Sequence, residues 1–484
     1  MRLLRQDRTL LVVAACAVAN AVALIPWLFT PGSPEDEGGI LAYARLALQG
    51  YLPMRDVRSF YGPLNSYLVG GVLWVADWNM YAERLIGLFY RLVLAVSLML
   101  IVRRRGSIVV ALCGLTLMLL PPTVSLTASA AVGALAASAL AILLASRGRP
   151  GWAGVAAGIA VLMRYDWILP IALFAIPWLH SWSGRARRRF AGAFLAVAGL
   201  YVPYLATVGW SNIRYAKEIL QVSQAAHRMP IPGIETSAGM ILVLTVVAVP
   251  VLFFTGTLVR HTVEGTTLQS IAWFSLGLFP YALYSPSRTH VLMCGLAALG
   301  TAATVPVVLA ERLGSAVRPQ VGLLLAVAVG VVVPVVLLPL ATLDPVPGYA
   351  ATVNGRSFIL PTAASADAAE LAVDDASRLA PTDGSLFVGP RDLASPWASD
   401  AYMYYLLPQL KPASFFVVLD PGITQIAPHA LSKSLPHANV LILDDFTYWE
   451  SGTARGATDH VVNTDFCPRH RFAEFVVYTR CEKA

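Results

Sequence analysis

Apolar runs long enough to cross a lipid bilayer recur between Leu10 and Leu340, and this recurrence limits the folds open to the chain more than any other feature. A membrane-spanning helix needs about 20 predominantly apolar residues. The composition agrees, because only 13% of the 484 residues are charged, whereas soluble domains carry about 25%. The sequence therefore predicts a polytopic α-helical membrane protein and excludes a disordered chain, a disulfide-stapled miniprotein and a single-span receptor.

The apolar runs predict about 11 transmembrane helices, each needing about 20 residues to cross. A further apolar run covers residues 62–76, and whether it crosses decides the orientation of every later span. The eleven predicted spans lie near residues 10–29, 84–102, 107–122, 124–146, 152–163, 167–180, 190–208, 239–259, 270–284, 289–309 and 320–342.

The arginines decide this orientation, because cytoplasmic loops of membrane proteins carry an excess of basic residues. If residues 62–76 do not cross, every basic cluster lies on the cytoplasmic side. We therefore predict a surface helix at 62–76, a cytoplasmic amino terminus, an extracytoplasmic carboxyl terminus and a multi-pass location in the plasma membrane. The clusters are Arg2, Arg5 and Arg8; residues 103–105; Arg147 and Arg149; Arg185 with residues 187–189; Arg260; and Arg312 with Arg318.

Three predicted outward segments, residues 30–83, 209–238 and 343–484, are too long to be simple connections. We therefore divide the chain into a transmembrane domain, 1–342, and an extracytoplasmic domain, 343–484. In the latter, strand-like and helix-like runs alternate, which predicts a small α/β domain. The strand-like runs are 385–388, 414–419, 440–443 and 475–478, and the helix-like runs are 364–378, 400–407 and 427–435.

Cysteine usage and charge fit this topology. Cys467 and Cys481 are the only cysteines after residue 342, and an oxidising compartment permits a disulfide between them without requiring one. The formal charge of +7 does not indicate nucleic-acid binding, because the basic residues mostly punctuate the apolar spans. The chain has no Walker A loop and no Gly-x-Ser-x-Gly elbow, which are the usual signals of ATP-driven transport and of soluble-type hydrolases.

Three adjacent acids, residues 35–37, stand just outside the first span. Charges so close to a membrane invite a functional explanation. The same residues also have the pattern of a helix start, since Ser33 and Asp36 match a capping box and Pro34 suits the first helical position. From the residues alone, both interpretations stay open.

The segment that begins at this acid pair, DEGGILAYARLALQGYLPMRDVRSFYGPL, resembles the first extracytoplasmic loop of GT-C membrane glycosyltransferases. It is most similar to the bacterial branch related to protein O-mannosyltransferases and aminoarabinose transferases. Asp36 and Glu37 match the acid pair of that loop, Asp56 its later aspartate, and residues 62–64 its Pro-Pro-Leu element. Met54 and Gly62 depart from the family pattern, and no lysine precedes residue 63. These departures concern the identity of the substrate and leave the match of the acid pair intact.

The resemblance continues more faintly along the chain. A glycine-rich span, 151–158, leads to Arg164, and residues 285–290 resemble an outward turn of the same branch that carries arginine and histidine. Small residues in such a span also favour close helix packing. Residues 402–407 and 412–416 are similar to the exported tail of these proteins. The resemblance implies a GT-C-like fold, an active site at the loop acids, and a non-spanning helix after residue 64.

The resemblance further implies transfer of a sugar from a polyprenyl-phosphate donor in the bilayer to an extracytoplasmic glycan, lipid or protein. The attacking hydroxyl must lose a proton, so Asp36 is the predicted general base, with Glu37 as its support or rival. The departing phosphate needs fixed cations. The predicted substrate-binding residues are Asp56, Arg58, Tyr61, Arg164, Arg288 and His290.

The sequence identifies no definite cofactor, and a divalent metal ion stays open, since Asp36, Glu37 and Asp56 offer oxygen ligands that suit one. Three other functions stay open. A polymerase or ligase of lipid-linked glycans would also present outward arginines. A transporter would usually show inverted repeats and polar midplane residues, whereas the spans show no inverted repeat that we detect and few polar residues at the midplane. A non-catalytic relative would use the tail to bind a glycan.

Overall fold

The computed structural model describes residues 2–59, 61–118, 126–214, 236–284, 288–313, 319–337, 345–391, 399–419, 428–444 and 457–481. Its helices up to residue 337 are α1 (Arg2–Leu24), α2 (Asp36–Leu48), α3 (Pro63–Val75), α4 (Met80–Val102), α5 (Ser107–Met118), α6 (Ala130–Ser146), α7 (Pro150–Met163), α8 (Ile168–Ser181), α9 (Gly184–Ala198), α10 (Tyr201–Val208), α11 (Thr236–Leu258), α12 (Val263–Tyr284), α13 (Arg288–Thr301), α14 (Thr304–Leu313) and α15 (Pro319–Leu337).

Each predicted apolar span falls on one of these helices or on two consecutive ones, as at α9–α10 and α13–α14. These helices make the chain a polytopic membrane protein, whereas the count of about 11 crossings and the orientation stay predictions. Within the described ranges, the segments long and apolar enough to cross a membrane are Arg8–Phe29, Met80–Arg105, Gly184–Val208, Ala238–Leu258 and His290–Leu313.

The run predicted to lie on the membrane surface forms α3, which has 13 residues. At 1.5 Å per residue it is about 20 Å long, short of the roughly 30 Å hydrocarbon core. Gly70 of α3 faces α2, where an added Cβ would lie 2.7 Å from the carbonyl oxygen of Ala44. The length does not separate α3 from α5 and α7, which have 12 and 14 residues and lie on predicted crossings, so the surface position of α3 stays a prediction. The outward segment 209–238 lies mostly outside the described residues.

The chain divides into two compact units. A helical unit comprises Met1–Ile25, Gly87–Val202 and Met229–Asp344, and a second unit comprises Pro26–Ile86, Pro203–Arg228 and Pro345–Ala484. The first outward loop and the carboxyl-terminal segment therefore belong to the same unit, which we call the loop–tail unit. The predicted domain boundary after residue 342 stays a prediction.

Glycines bring α7 and α9 together in the helical unit. An added Cβ on Gly154 would lie 2.3 Å from the carbonyl oxygen of Phe190, and one on Gly158 would lie 2.7 Å from the Cβ of Val197. Small residues four positions apart permit this approach of two helices. The glycine-rich span before Arg164 is thus explained by helix packing.

The tail begins with a hairpin of β1 (Tyr349–Val353) and β2 (Arg356–Leu360). Its turn residues Asn354 and Gly355 have φ values of 54° and 73°, the left-handed geometry that an Asn-Gly turn favours. A mixed sheet follows in the order β4-β3-β5-β7-β6. Its strands are β3 (Ser385–Pro390), β4 (Lys411–Pro412), β5 (Val440–Asp444), β6 (Phe466–Phe472) and β7 (Phe475–Arg480), and the tail helices are α16 (Ala363–Leu379), α17 (Tyr402–Leu406), α18 (Pro428–Ser434) and α19 (Ala457–Asp465). Cys467 on β6 forms a disulfide with Cys481.

The predicted strand at 414–419 is wrong. These residues are irregular, and the short parallel strand β4 precedes them. Side chains take the place of ladder partners here, because the hydroxyl of Ser414 accepts a hydrogen bond from the N–H of Phe416 and that of Ser399 accepts one from the N–H of Leu419. Buried backbone groups need such partners, so an apolar segment is held inside without joining the sheet.

Candidate functional site

The acid-bearing segment of the first loop forms the start of α2. The hydroxyl of Ser33 accepts a hydrogen bond from the backbone N–H of Asp36 at 3.1 Å, and its carbonyl accepts one from the N–H of Glu37, also at 3.1 Å. Serine is a favoured capping residue, and acids in the first turn complement the helix dipole. This arrangement leaves Asp36 exposed at the first position of the helix.

Glu37, one residue further along α2, is buried in an ion pair with Arg84 of α4. The Nε and Nη2 atoms of Arg84 donate to the two carboxylate oxygens at 2.6 and 2.9 Å, and the two side chains are 2% and 3% exposed. The Nη1 atom donates to the carbonyls of Leu28 and Thr30. Arg84 therefore fixes the first turn of α2 to the chain that leads into it through a bidentate contact, the strongest kind of ion pair.

The same helix packs tightly on α17 of the tail. An added Cβ on Gly38 would lie 2.5 Å from the backbone nitrogen of Tyr402, so glycine is needed for this approach. Two turns further on, the buried Arg45 caps the end of α17. Burial, and secondarily the charge of Arg356, lowers the pKa of Arg45 to about 10. Its guanidinium donates to the carbonyls of Tyr404, Pro408 and Leu410 at 2.6, 2.8 and 2.6 Å.

Asp56 holds a tight turn in the loop. Its carboxylate accepts hydrogen bonds from the N–H of Leu52 at 2.8 Å and from Arg55 at 2.9 and 2.8 Å. The hydrogen bond from Arg55 keeps the pKa of Asp56 below its usual value, with burial opposing it and the Leu52 N–H adding to it. Met54 in this turn has a φ of 69°. Asp56, which the sequence predicts to bind substrate, therefore stabilises the turn of the loop.

Arg58 and Tyr61 lie between this turn and α3. Arg58 is 2% exposed. Its Nη1 atom donates to the carbonyl of Val418 at 3.2 Å, and its N–H donates to that of Phe415 at 2.7 Å. Tyr61 is half-buried, and its N–H donates to the hydroxyl of Ser59. Arg58 thereby links the loop to the tail, and the roles of both residues in substrate binding stay predictions.

The structure brings Arg164 and His290 together in the helical unit around one aromatic ring. The guanidinium of Arg164 lies 4.6 Å from the ring centroid of Tyr281 and 5.1 Å from that of Trp167. Asp166 accepts two hydrogen bonds from Arg164, at 2.9 and 2.7 Å, along one edge of the guanidinium. The ring centroid of His290 lies 4.5 Å from that of the same Tyr281. The carboxylate and the two aromatic rings therefore hold the guanidinium of Arg164 in a fixed orientation.

Arg288 is the first residue of α13, and its side chain lies outside the described residues, as do positions 285–287. The predicted site residues thus form two groups: Asp36, Glu37, Asp56, Arg58 and Tyr61 in the loop–tail unit, and Arg164 and His290 in the helical unit. Among the described residues, no group of three or more histidine, cysteine or acidic side chains is arranged to hold a metal ion.

Sequence reasoning did not identify Arg84, Arg45 or Arg356, which organise the loop–tail unit. Arg356 stacks on Trp78, with its guanidinium carbon 4.0 Å from the ring centroid. Arg84 offered a signal, because it stands at the edge of a predicted span, where a charge needs a partner. Arg45 offered a weaker one, because arginine in the last turn of a helix usually interacts with that helix's own carbonyls rather than with those of another segment.

Comparisons with known proteins give a match in structure and none in sequence. No protein-family model matches the chain, and no curated protein sequence matches it. The fold is similar to that of ArnT from Cupriavidus metallidurans bound to undecaprenyl phosphate, with a TM-score of 0.53, 12% identity, and 99% of this chain and 98% of that chain covered. Apo ArnT from the same organism gives a TM-score of 0.45, 14% identity, and coverage of 98% and 97%.

At this level of identity the likeness shows the fold. The match to ligand-bound ArnT covers nearly the whole of both chains. The predicted fold, which is like that of ArnT, is therefore confirmed, whereas membership of the GT-C superfamily and of its aminoarabinose-transferase branch stays a prediction. The activity and the substrates belong to the proposal that follows.

Proposed function

We propose that this protein is a membrane glycosyltransferase that transfers a sugar from a polyprenyl-phosphate donor to an extracytoplasmic glycan, lipid or protein. The observation that carries the proposal is the arrangement of the loop acids within a GT-C-like fold. Asp36 is exposed at the start of α2, while its neighbour Glu37 is locked to Arg84. The fold supports a lipid-linked donor, because the similar ArnT structure is bound to undecaprenyl phosphate.

Asp36 is the proposed general base. The acceptor hydroxyl oxygen attacks the anomeric carbon of the donor sugar, and its proton moves to a carboxylate oxygen of Asp36. The bond between the anomeric carbon and the phosphate oxygen breaks, and the electron pair leaves with the polyprenyl phosphate. Glu37 supports this step by holding Arg84, which fixes the first turn of α2 and so the direction of Asp36.

Arg164 is the proposed partner of the lipid phosphate. Its guanidinium is oriented by Asp166 and by the rings of Trp167 and Tyr281, and a planar guanidinium suits phosphate oxygens. As the leaving group gains negative charge, a fixed cation stabilises it. We propose Arg288 and His290 as further contacts of the same phosphate, because His290 shares Tyr281 with Arg164.

A divalent cation does not fit the three loop carboxylates in the arrangement described. Glu37 uses both oxygens on Arg84, and Asp56 uses both on Arg55. A cation bound there would have to displace two arginines. We therefore derive no step through a metal ion.

The predicted topology places Asp36 outside the plasma membrane, where nucleotide sugars are absent and a lipid-linked donor is needed.

The test is transfer of radiolabelled sugar from a panel of polyprenyl-phosphate sugars, in membranes that contain the wild type or Asp36→Asn at equal protein level. General-base catalysis contributes about 10²- to 10⁴-fold, so transfer should fall by at least 100-fold. Glu35→Gln is the matched control, since it removes the same charge from the adjacent residue. Undiminished transfer by Asp36→Asn would refute the assignment of the base, and absence of transfer from every donor would refute the proposed class.

A further inference from the structure

A polar cleft opens in the helical unit where α4 and α6 end, α12 begins, and α13 turns into α14. About 500 Å³ of non-atom space lies in and in front of it, with open solvent included. Apolar residues of α4 and α12 form part of its wall. The polar residues that line it include Arg104, Ser146, Arg147, Glu264, Thr267 and Thr304.

The acid in the cleft is already neutralised. Glu264 accepts hydrogen bonds from Arg105, and the same guanidinium also contacts Glu311. These contacts use Nε, Nη1 and Nη2 of a single arginine. The two carboxylates therefore bind Arg105, and within the described part of the chain they do not pair with the other arginines of the cleft.

Those remaining cations crowd one another. Among the described residues, no carboxylate lies within ion-pair distance of Arg103, Arg104 or Arg147, and Arg147 donates instead to the carbonyl of Leu100 at 3.0 Å. Burial lowers the pKa of Arg147, and the charges of Arg103 and Arg104 lower it further. The four arginines and two glutamates of this region leave a net charge of about +2. Such a cleft favours an anion.

The hydroxyl groups add a second requirement. Those of Ser146 and Thr267 donate to carbonyls of their own helices at 2.7 Å each, and that of Thr304 donates to the carbonyl of Thr301 at the end of α13 at 2.6 Å. Each hydroxyl has one hydrogen and two lone pairs, so its oxygen is left as an acceptor. A ligand that fits must combine an anionic group with hydrogen-bond donors of its own.

We propose that this cleft binds the headgroup of an anionic glycerophospholipid, with the phosphate on Arg104 and Arg147 and the headgroup hydroxyls on the serine and threonine oxygens. Phosphatidylglycerol has this chemistry, because its phosphodiester carries a glycerol with two free hydroxyls. The basic connections that border the cleft are cytoplasmic in the predicted topology, and basic pockets between helices on that side suit anionic lipids. The site is separate from the proposed transferase residues.

The experiment is native mass spectrometry of the full chain in detergent, titrated with phosphatidylglycerol or with phosphatidylcholine of the same acyl chains. We expect phosphatidylglycerol to bind at least tenfold more tightly than phosphatidylcholine. Arg104→Gln and Arg147→Gln should each weaken its binding by about tenfold, as the loss of a hydrogen bond to a charged group predicts. Arg149→Gln, an exposed arginine outside the lining, should change it less than twofold.

Equal binding of the two lipids would overturn the proposal, and so would wild-type affinity in both cleft variants. Displacement of phosphatidylglycerol by millimolar inorganic phosphate would assign a simple anion site and would overturn the lipid assignment as well. Arg104 is exposed, so Arg104→Glu gives a charge reversal at a position where the fold tolerates change. It should abolish the preference for phosphatidylglycerol in a protein that still elutes as a single species on size exclusion.

Discussion

Replacing Glu37 by glutamine should destabilise the folded chain, because it leaves the buried guanidinium of Arg84 without its counter-charge. The two side chains are 2% and 3% exposed and share hydrogen bonds of 2.6 and 2.9 Å. Removing one partner of a buried pair costs about 3–5 kcal/mol. Glutamine keeps one acceptor oxygen, and Arg84 keeps the carbonyls of Leu28 and Thr30. We therefore expect a loss near the lower limit, about 3 kcal/mol.

A double-mutant cycle separates this pair from general damage. Arg84→Met alone should cost a similar amount, because it leaves the carboxylate buried, whereas Glu37→Gln combined with Arg84→Met removes both charges. The double variant should lose at least 1 kcal/mol less than the sum of the single losses, within the range for contacting residues. The assay is unfolding in mixed detergent micelles with increasing dodecyl sulfate. Additive losses, or a Glu37→Gln loss below about 1 kcal/mol, would refute the reasoning.

Further predictions concern the same unit. Gly38→Ala should lower the free energy of unfolding by about 1–3 kcal/mol, because the added methyl group overpacks against Tyr402. Gly71→Ala is the control and should not destabilise α3, because no atom lies within 4 Å of the added Cβ. The midpoints of thermal unfolding of the two variants check both expectations. Arg45→Met removes a hydrogen-bond donor from three carbonyls, of which that of Pro408 keeps Gln49, and should cost about 2–3 kcal/mol, seen as a lower thermal midpoint. The lowered pKa of Asp56 stabilises the fold above about pH 4 and ceases to do so as pH falls through the folded value, so the midpoint difference from Asp56→Asn should narrow in acid.

The membrane part of the fold was predictable because apolar length leaves few alternatives. Among the described residues, every predicted span lies mainly on helix, although α9 and α10 divide one span and α13 and α14 another. Those breaks were not visible in the hydropathy, because the residues on both sides of each break are equally apolar. The start of α2 was predictable from Ser33 and the acids, because capping is a local interaction.

The contacts of the loop with the tail could not be predicted, because they join residues more than 350 positions apart. Arg45 of α2 binds carbonyls at the end of α17, and Gly38 admits the backbone of Tyr402. Nothing local to either residue indicates these partners. The prediction for segment 414–419 was wrong for a related reason. Its continuous apolar run resembles a strand, while the hydroxyl of Ser399, outside the segment, accepts a hydrogen bond from the N–H of Leu419.

The two neighbouring acids at the start of α2 have different proposed roles, one catalytic and one structural, and this difference is testable. Asp36 is exposed and Glu37 is buried in an ion pair. Asp36→Asn should therefore leave the free energy of unfolding within about 0.5 kcal/mol of the wild type and lower transfer by at least about 100-fold. Glu37→Gln should lower the free energy of unfolding and the transfer activity together. Part of the lost transfer should return when a lower temperature, or an added ligand that binds the folded protein, restores the fold.

The paired measurement of unfolding and transfer distinguishes the two carboxylates. A Glu37→Gln protein that keeps its stability and loses all transfer would make Glu37 the base, with Asp36 its support. An Asp36→Asn protein that loses stability would show that the exposed carboxylate serves the helix start. Because adjacent helical residues point about 100° apart, a single donor and acceptor pair cannot use both carboxylates in the same way, so one of these outcomes must differ between the two variants.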